Sequence, residues 1–172
     1  CRLAIQEVEA AGLLETVEAA VTPSVCKGIA AYMAPAGMAA DGWWIVGGGS
    51  KDTTDPKHMD EPFIKFVNKN LEDGGLDPAI SLYGIGYTYG YPHVEALRVA
   101  ADLPGGLSRT NFILAVRNID IYGPLTLDGI TLAMNGAADG YFVEGSDFSL
   151  FDATEQTWSM VGDVVDANGA SP

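Results

Sequence analysis

The chain has 172 residues, of which 48% are hydrophobic and 19% charged, a balance that belongs to a folded body with a real core. Nine basic residues against 23 acidic ones leave a formal charge of −14, which excludes nucleic acid as a partner and argues against an anionic membrane surface. No apolar run approaches the ~18 residues of a membrane span.

Cys1, Ile5, Val8 and Gly12 fall on one helical face, with Gln6, Glu7 and Glu9 opposite, which predicts a first helix ended by Gly12. Residues 16–21 are small and β-branched and read as a short strand, Thr22-Pro23-Ser24 as a loop, and residues 25–33 as a helix of small side chains. Helix, strand, loop and helix in that order are the rhythm of an α/β layer, and such layers place ligands in the loops after the carboxyl ends of their strands. Ser24 and Val25 are therefore candidate ligand-binding residues. Residues 43–46 predict a buried strand, the three glycines from Gly47 to Gly49 a flexible stretch, and residues 51–56 a polar linker.

Glu61-Pro62 opens a helix whose Phe63, Phe66, Val67 and Leu71 are expected to face inward, ended by Gly74-Gly75. Residues 82–91 form an uncharged aromatic run with three glycines and read as a buried strand entering a turn. Its Tyr83, Tyr87 and Tyr89 suit two roles equally: core side chains with hydroxyls partnered at the strand's ends, or the wall of a ligand pocket. Pro92 suits a helix's first turn, with Val94, Leu97 and Ala101 following at helical steps until Pro104-Gly105-Gly106. Ser108 or Thr110 caps a further helix carrying Phe112, Ile113, Val116 and Ile119 on one face. After Tyr122-Gly123-Pro124, residues 125–134 read as a strand; residues 141–143, 148–151 and 158–161 read as short antiparallel strands, and residues 166–172 as a plain tail.

The stretches ALRVAADL, GGLSRTN and DGITLAMNG, with AADGWWIVGGGSKDTTDP upstream, make the chain resemble the C-terminal half of a type I periplasmic or extracellular solute-binding protein of ABC transporters, the family typified by the leucine/isoleucine/valine-binding proteins. The resemblance implies an α/β fold of two Rossmann-like lobes joined by crossing strands. Residues 1–48 would be part of the second lobe and residues 49–134 the C-terminal part of the first. Residues 135–172 would supply strands returning to the second lobe and the C-terminal tail. Crossings are expected near residues 47–51 and 134–139, with closure about them trapping the ligand.

The implied function is capture of a small organic solute and delivery to an ABC permease, outside the cell or in the periplasm. A lipid anchor would sit on an N-terminus upstream of this sequence. The N-terminal half of the same protein is expected as a further partner, because residues 1–5 already stand inside a helical pattern and the first lobe would otherwise lack most of its sheet. In the family's archetype a carboxylate in the loop matching Thr22 to Val25 reads an amino acid's ammonium; here Ser24 stands in that place, so the solute is expected to be an amino acid or a small carboxylate or amide.

The residues suggest no other chemistry. His58 and His93 have no His or Cys at metal-ligating spacing, no nucleophile or phosphate-loop motif is present, and neither a catalytic residue nor a cofactor is expected. Glu144 is the one carboxylate in a buried-looking context, and we place it on the outward face of its strand. Cys1 and Cys26 would be unrelated buried thiols in a cytosolic protein and bridged in an exported one; the resemblance favours a Cys1–Cys26 disulfide. Two competing functions are a receptor's ligand-sensing domain, which shares these lobes, and a secreted carbohydrate-binding or structural β-rich protein suggested by the aromatic tail.

Overall fold

The computed structural model describes residues 1–166 and is mixed α/β. Its main sheet has four short strands in the order β1 (Val21–Pro23), β2 (Trp44–Val46), β6 (Phe148–Asp152) and β7 (Thr157–Met160). β1 and β2 run parallel in the register Val21 to Trp44, while β6 lies antiparallel to both β2 and β7, with Ile45 opposite Ser149 and Phe151 opposite Trp158. Alternation along β2 and β6 buries Ile45, Ser149 and Phe151 on one face. Onto that face pack Ile5 of helix α1 (Arg2–Ala10), Ile29 and Met33 of the following turns, and Trp43 and Trp158, forming the larger core. Phe151 and Trp158 meet at a centroid distance of 5.0 Å, and the indole N–H of Trp158 donates to the Lys27 carbonyl at 2.8 Å.

The helix expected over residues 25–33 is replaced by a run of irregular turns that extends to residue 40. A 3-10 turn (Ser24–Cys26), a π-helical turn (Ile29–Met33) and a 3-10 segment (Ala34–Ala40) follow one another, broken at Gly28 and Gly37. Gly28 is where another element comes close: a Cβ there would lie 2.8 Å from the Cβ of Ser81. Cys1 and Cys26 are joined by a disulfide with Cα atoms 5.5 Å apart, tying α1 to this segment.

Three helices make the second mass. Pro62 opens α2 (Pro62–Asp73), and Gly75 at φ +73° ends it while Leu76 N donates back to the Leu71 carbonyl. Its buried side chains are Ile64, Val67 and Leu71; Phe63 and Phe66 instead face helix α3, and Phe66 is 52% exposed. α3 (Ser81–Asp102) overturns the expected strand over residues 82–91, and Pro92 lies inside the helix rather than at its start. The aromatic run does have a helical period, since Tyr83, Tyr87 and Tyr91 stand four apart and line one side of α3 facing Phe63 and Phe66. Each glycine costs about 1 kcal/mol of helix propensity, which packing against α2 and residues 52–54 outweighs. Ser108 caps α4 (Arg109–Arg117) by accepting from Asn111 N at 3.1 Å. α4 buries Ala115 and half-buries Phe112 and Val116 against Ala96 and Ala100, leaving Ile113 exposed.

The expected strand over residues 125–134 is mostly turn and loop: Thr126 makes a single bridge, and β4 (Leu132–Ala133) alone forms a strand, pairing with β3 (Asp120–Ile121). β5 (Gly145–Ser146) pairs with β8 (Val165–Asp166), and residues 141–143 contribute a single bridge, Val143 to Leu132. The tail expected over residues 166–172 lies, beyond Asp166, outside the described residues. Several large side chains of α2–α4 stay open, among them Leu82, Val94, Leu97, Ile113 and Leu114. The total surface is 9642 Å², against about 8,100 Å² for a compact monomer of this mass.

Two expectations follow. No free thiol should titrate under denaturing, non-reducing conditions, and reduction should cost about 3 kcal/mol of stability for a loop of this length; two titrating thiols would refute the bridge. Along α3, Gly84→Ala should destabilise by ~1–3 kcal/mol, because its Cβ would sit 2.2 Å from Thr53 Oγ1. Gly86→Ala, with nothing within 4 Å, should instead stabilise by ~0.5–1 kcal/mol, so denaturant midpoints moving in the same direction would contradict this packing.

Candidate functional site

Ser24 begins the turn that follows the carboxyl end of β1, where the sheet's ends meet three extended segments running side by side. The first is the glycine stretch leaving β2, the second is residues 125–127 and the third is β5 with Asp147. Lys51 N donates to the Leu125 carbonyl and Leu127 N to the Gly49 carbonyl, each at 2.8 Å, and Ser50 bridges Thr126. Ile130 fills the space between the first and third segments, since a Cβ on Gly49 or Gly145 would come within 2.5 Å of its side chain. Gly48 and Gly49 take positive φ, at 63° and 67°, where a side chain would be strained.

The third segment meets the first through one carboxylate. Asp147 is 1% exposed. Its Oδ1 accepts from Lys27 Nζ at 2.9 Å and from Gly49 N at 3.1 Å, and its Oδ2 from Lys27 Nζ at 3.0 Å and Ser149 Oγ at 2.7 Å. Its carbonyl accepts from Gly47 N at 2.8 Å. Burial pulls the Lys27 ammonium below its usual range, against the charge and hydrogen bond of Asp147.

Two more carboxylates are buried nearby. Asp52 accepts from Ile29 N at 2.7 Å and from the Thr54 amide and hydroxyl at 3.1 and 2.7 Å; burial still raises its carboxyl above the ordinary value, since these hydrogen bonds offset only part of the desolvation. Asp55 accepts from Lys57 N, Thr157 Oγ1 and Trp158 N, fastening residues 55–57 to β7. Beside them Glu61 takes Lys51 Nζ on one oxygen and His58 Nδ1 on the other, each at 2.7 Å. These groups line a charged cavity of about 270 Å³.

On the other side of Lys27 lies a narrower polar crevice of about 30 Å³, faced by Ser24, Ser50, Thr53 and Ser81. The Thr53 hydroxyl there is buried and has no hydrogen-bond partner in the protein. Among the described residues no group of three His, Cys, Asp or Glu side chains is placed to hold a metal ion.

The sequence-derived ligand residues do not converge. Ser24 sits in the crevice, and Val25 beside it is 56% exposed. Tyr83 and Tyr87 instead line an apolar groove of about 740 Å³ between α2 and α3, and Tyr89 is 65% exposed. The part of α3 that meets the Ser24 crevice is Ser81, Gly84 and Ile85. The sequence points to Glu144, whereas the carboxylates buried among the described residues are Asp52, Asp55, Asp139 and Asp147. The small residues around Asp147 in GSDFS, which leave room for donors, were the one local signal.

Acid stability should report the His58–Glu61 pair. Burial draws the His58 imidazole below its usual 6.5, although Glu61 pulls the other way, so folding becomes less favourable as pH falls through 6.5. Burial raises the Glu61 carboxyl, but Lys51 and His58 together leave it below 4.5; that stabilisation is present above 4.5 and fades as pH falls through the lower folded value. The drop in Tm from pH 7.5 to 5.5 should therefore shrink in His58→Gln, a comparison in which the opposing contribution of Asp52 is common to both proteins. An unchanged drop would remove His58 from this role.

No family model and no curated protein matches the sequence. Two solved structures share the fold. One is described as an ABC transporter permease from the Pseudomonas fluorescens group, with TM-score 0.67 and 16% identity over 98% of this chain. The other is a branched chain amino acid ABC transporter from Thermus thermophilus with bound valine, with TM-score 0.68 and 12% identity over 96% of this chain. The chain spans 41% and 43% of their lengths. The chain is thus similar in fold to ABC transporter proteins, one of them a valine complex.

Proposed function

We propose that the protein is the solute-binding component of an ABC importer, working outside the cell or in the periplasm and handing its solute to a permease. The observation that supports this best is the side-by-side course of the three linking segments beneath the Ser24 turn, antiparallel where Ser50 bridges Thr126, in a chain whose fold matches a valine-bound transporter protein over 96% of its length. In this reading residues 1–48 and the strands after residue 135 form one lobe, and residues 49–134 belong to the other. The segments between them flex on closure, as glycines at positive φ and short hydrogen-bonded strands allow.

The open apolar side chains of α3 and α4 fit the same reading, since a further part of a longer protein would cover them with the first lobe's sheet. Tyr83, Tyr87 and Tyr89 then belong to that lobe, and Ser24 and Val25 approach the solute from the other. Ser24 offers a hydroxyl and no charge. The crevice around it is lined by further hydroxyls together with Lys27, Lys51 and Asp52, a setting for a carboxylate or amide end as much as for an amino group. No helix among the described residues is long and apolar enough to cross a membrane.

Calorimetric titration of the complete gene product with valine, small carboxylates and small amides tests the reading. One of these classes should bind with a Kd on the order of micromolar, about −8 kcal/mol. Ser24→Glu should shift preference toward solutes carrying an ammonium group. Absence of binding across all three classes would sink the function, and an unchanged preference in a folded Ser24→Glu variant would remove Ser24 from the site.

A further inference from the structure

We infer that Asp147 is the positioning residue of the proposed solute site, holding the Ser24 turn and the glycine segment in one fixed relation. The inference rests on the reading of the Ser24 turn as a solute-contacting turn. It is carried by what a single side chain does. Both oxygens of Asp147 accept from Lys27, which lies three residues after Ser24; Oδ1 also holds Gly49, Oδ2 holds Ser149, and its carbonyl holds Gly47. Donors from three separate parts of the chain thus converge on a residue that is almost fully buried.

Lys27 is fixed at both ends. Its carbonyl accepts the Trp158 indole at 2.8 Å, so its backbone is seated on the larger core, while its ammonium reaches across to Asp147. The turn can therefore shift against the glycine segment only if the ion pair opens.

Gly47 bears the imprint of the same arrangement. A Cβ there would lie 2.1 and 2.4 Å from the two Asp147 oxygens, so any other residue would displace the carboxylate. A buried ion pair is a poor source of net stability, because desolvation cancels most of the attraction, and apolar replacements are often neutral. What the pair supplies is one fixed geometry between the Ser24 turn and the segments around it, to which the hydrogen bond from Gly48 N to Ser146 Oγ at 3.2 Å adds a second link between the glycine segment and β5.

The experiment is amide hydrogen exchange by mass spectrometry on the folded protein, with no ligand added. In Asp147→Asn, peptides covering residues 24–28 and 47–50 should exchange at least about tenfold faster than wild type, while peptides from residues 29–46 and 148–160 keep their protection. The double variant Lys27→Met, Asp147→Asn leaves no charge unpaired and should show the same local loosening with a near-wild-type Tm, which keeps the test valid if the single variant does not fold. Wild-type protection over residues 24–28, or a uniform increase that includes residues 148–160, would overturn the inference, the second outcome reducing Asp147 to general stability. Failure of every solute to bind wild-type protein would refute the solute-capture reading and leave the exchange result standing.

Discussion

A carboxylate taken out of water must be given donors, and that of Asp147 is given four hydrogen bonds, two from Lys27 and one each from Gly49 and Ser149. The rest of the junction depends on that requirement. The glycines must stay glycines because the carboxylate and Ile130 occupy the space their side chains would need. The turn after β1 must present a lysine, and the strand β6 must begin beside a serine. Removing one partner alone would leave a charge in a place that water does not reach, a cost of about 3–5 kcal/mol.

Around this junction the molecule has two hydrophobic cores. One lies under the four-stranded sheet and is dense with large side chains, including Ile5, Met33, Ile45, Phe151 and Trp158. The other, among α3, α4 and β3–β4, is built chiefly on alanines and Ile119, so its helices approach closely and bury little. Large apolar side chains stay open on both sides, Leu3, Val21 and Met38 beside the sheet as well as Leu82, Leu97 and Leu114 on the helices. Each forgoes ~1.5–3 kcal/mol of burial.

Charge is used unevenly. The chain has nine basic residues, and Lys27, Lys51 and Lys57 of these are held at the junction by Asp147, Glu61 and Asp55. Cations so engaged are unavailable to an outside polyanion. The network tightens the link between the sheet and residues 51–61, and Lys57 also reaches the Trp158 carbonyl. The hydroxyls around Ser24 instead face a polar crevice, where the hydroxyl of Thr53 is buried with no partner in the protein.

The sequence by itself determined the α/β class, the strands at residues 44–46, 148–151 and 158–160 and the Pro62 helix start, and it narrowed the cap of α4 to Ser108 or Thr110. These follow from local physics: short apolar or aromatic runs bounded by turn residues, a proline at a helix's first turn, and a hydroxyl cap. The Cys1–Cys26 bridge is favoured in the sequence only by the family resemblance, and it is the fold that brings the two cysteines together. Tertiary structure alone decided that residues 82–91 are helix. Their glycines and Pro92 argue locally against one, and only contacts with Thr53, Phe63 and Phe66 supply the energy that overrides propensity. It also decided which carboxylates are buried. Lys27 and Asp147 stand 120 residues apart, and no local pattern can show that each is the other's partner, because the desolvation that makes the pairing necessary exists only once the chain has closed around them.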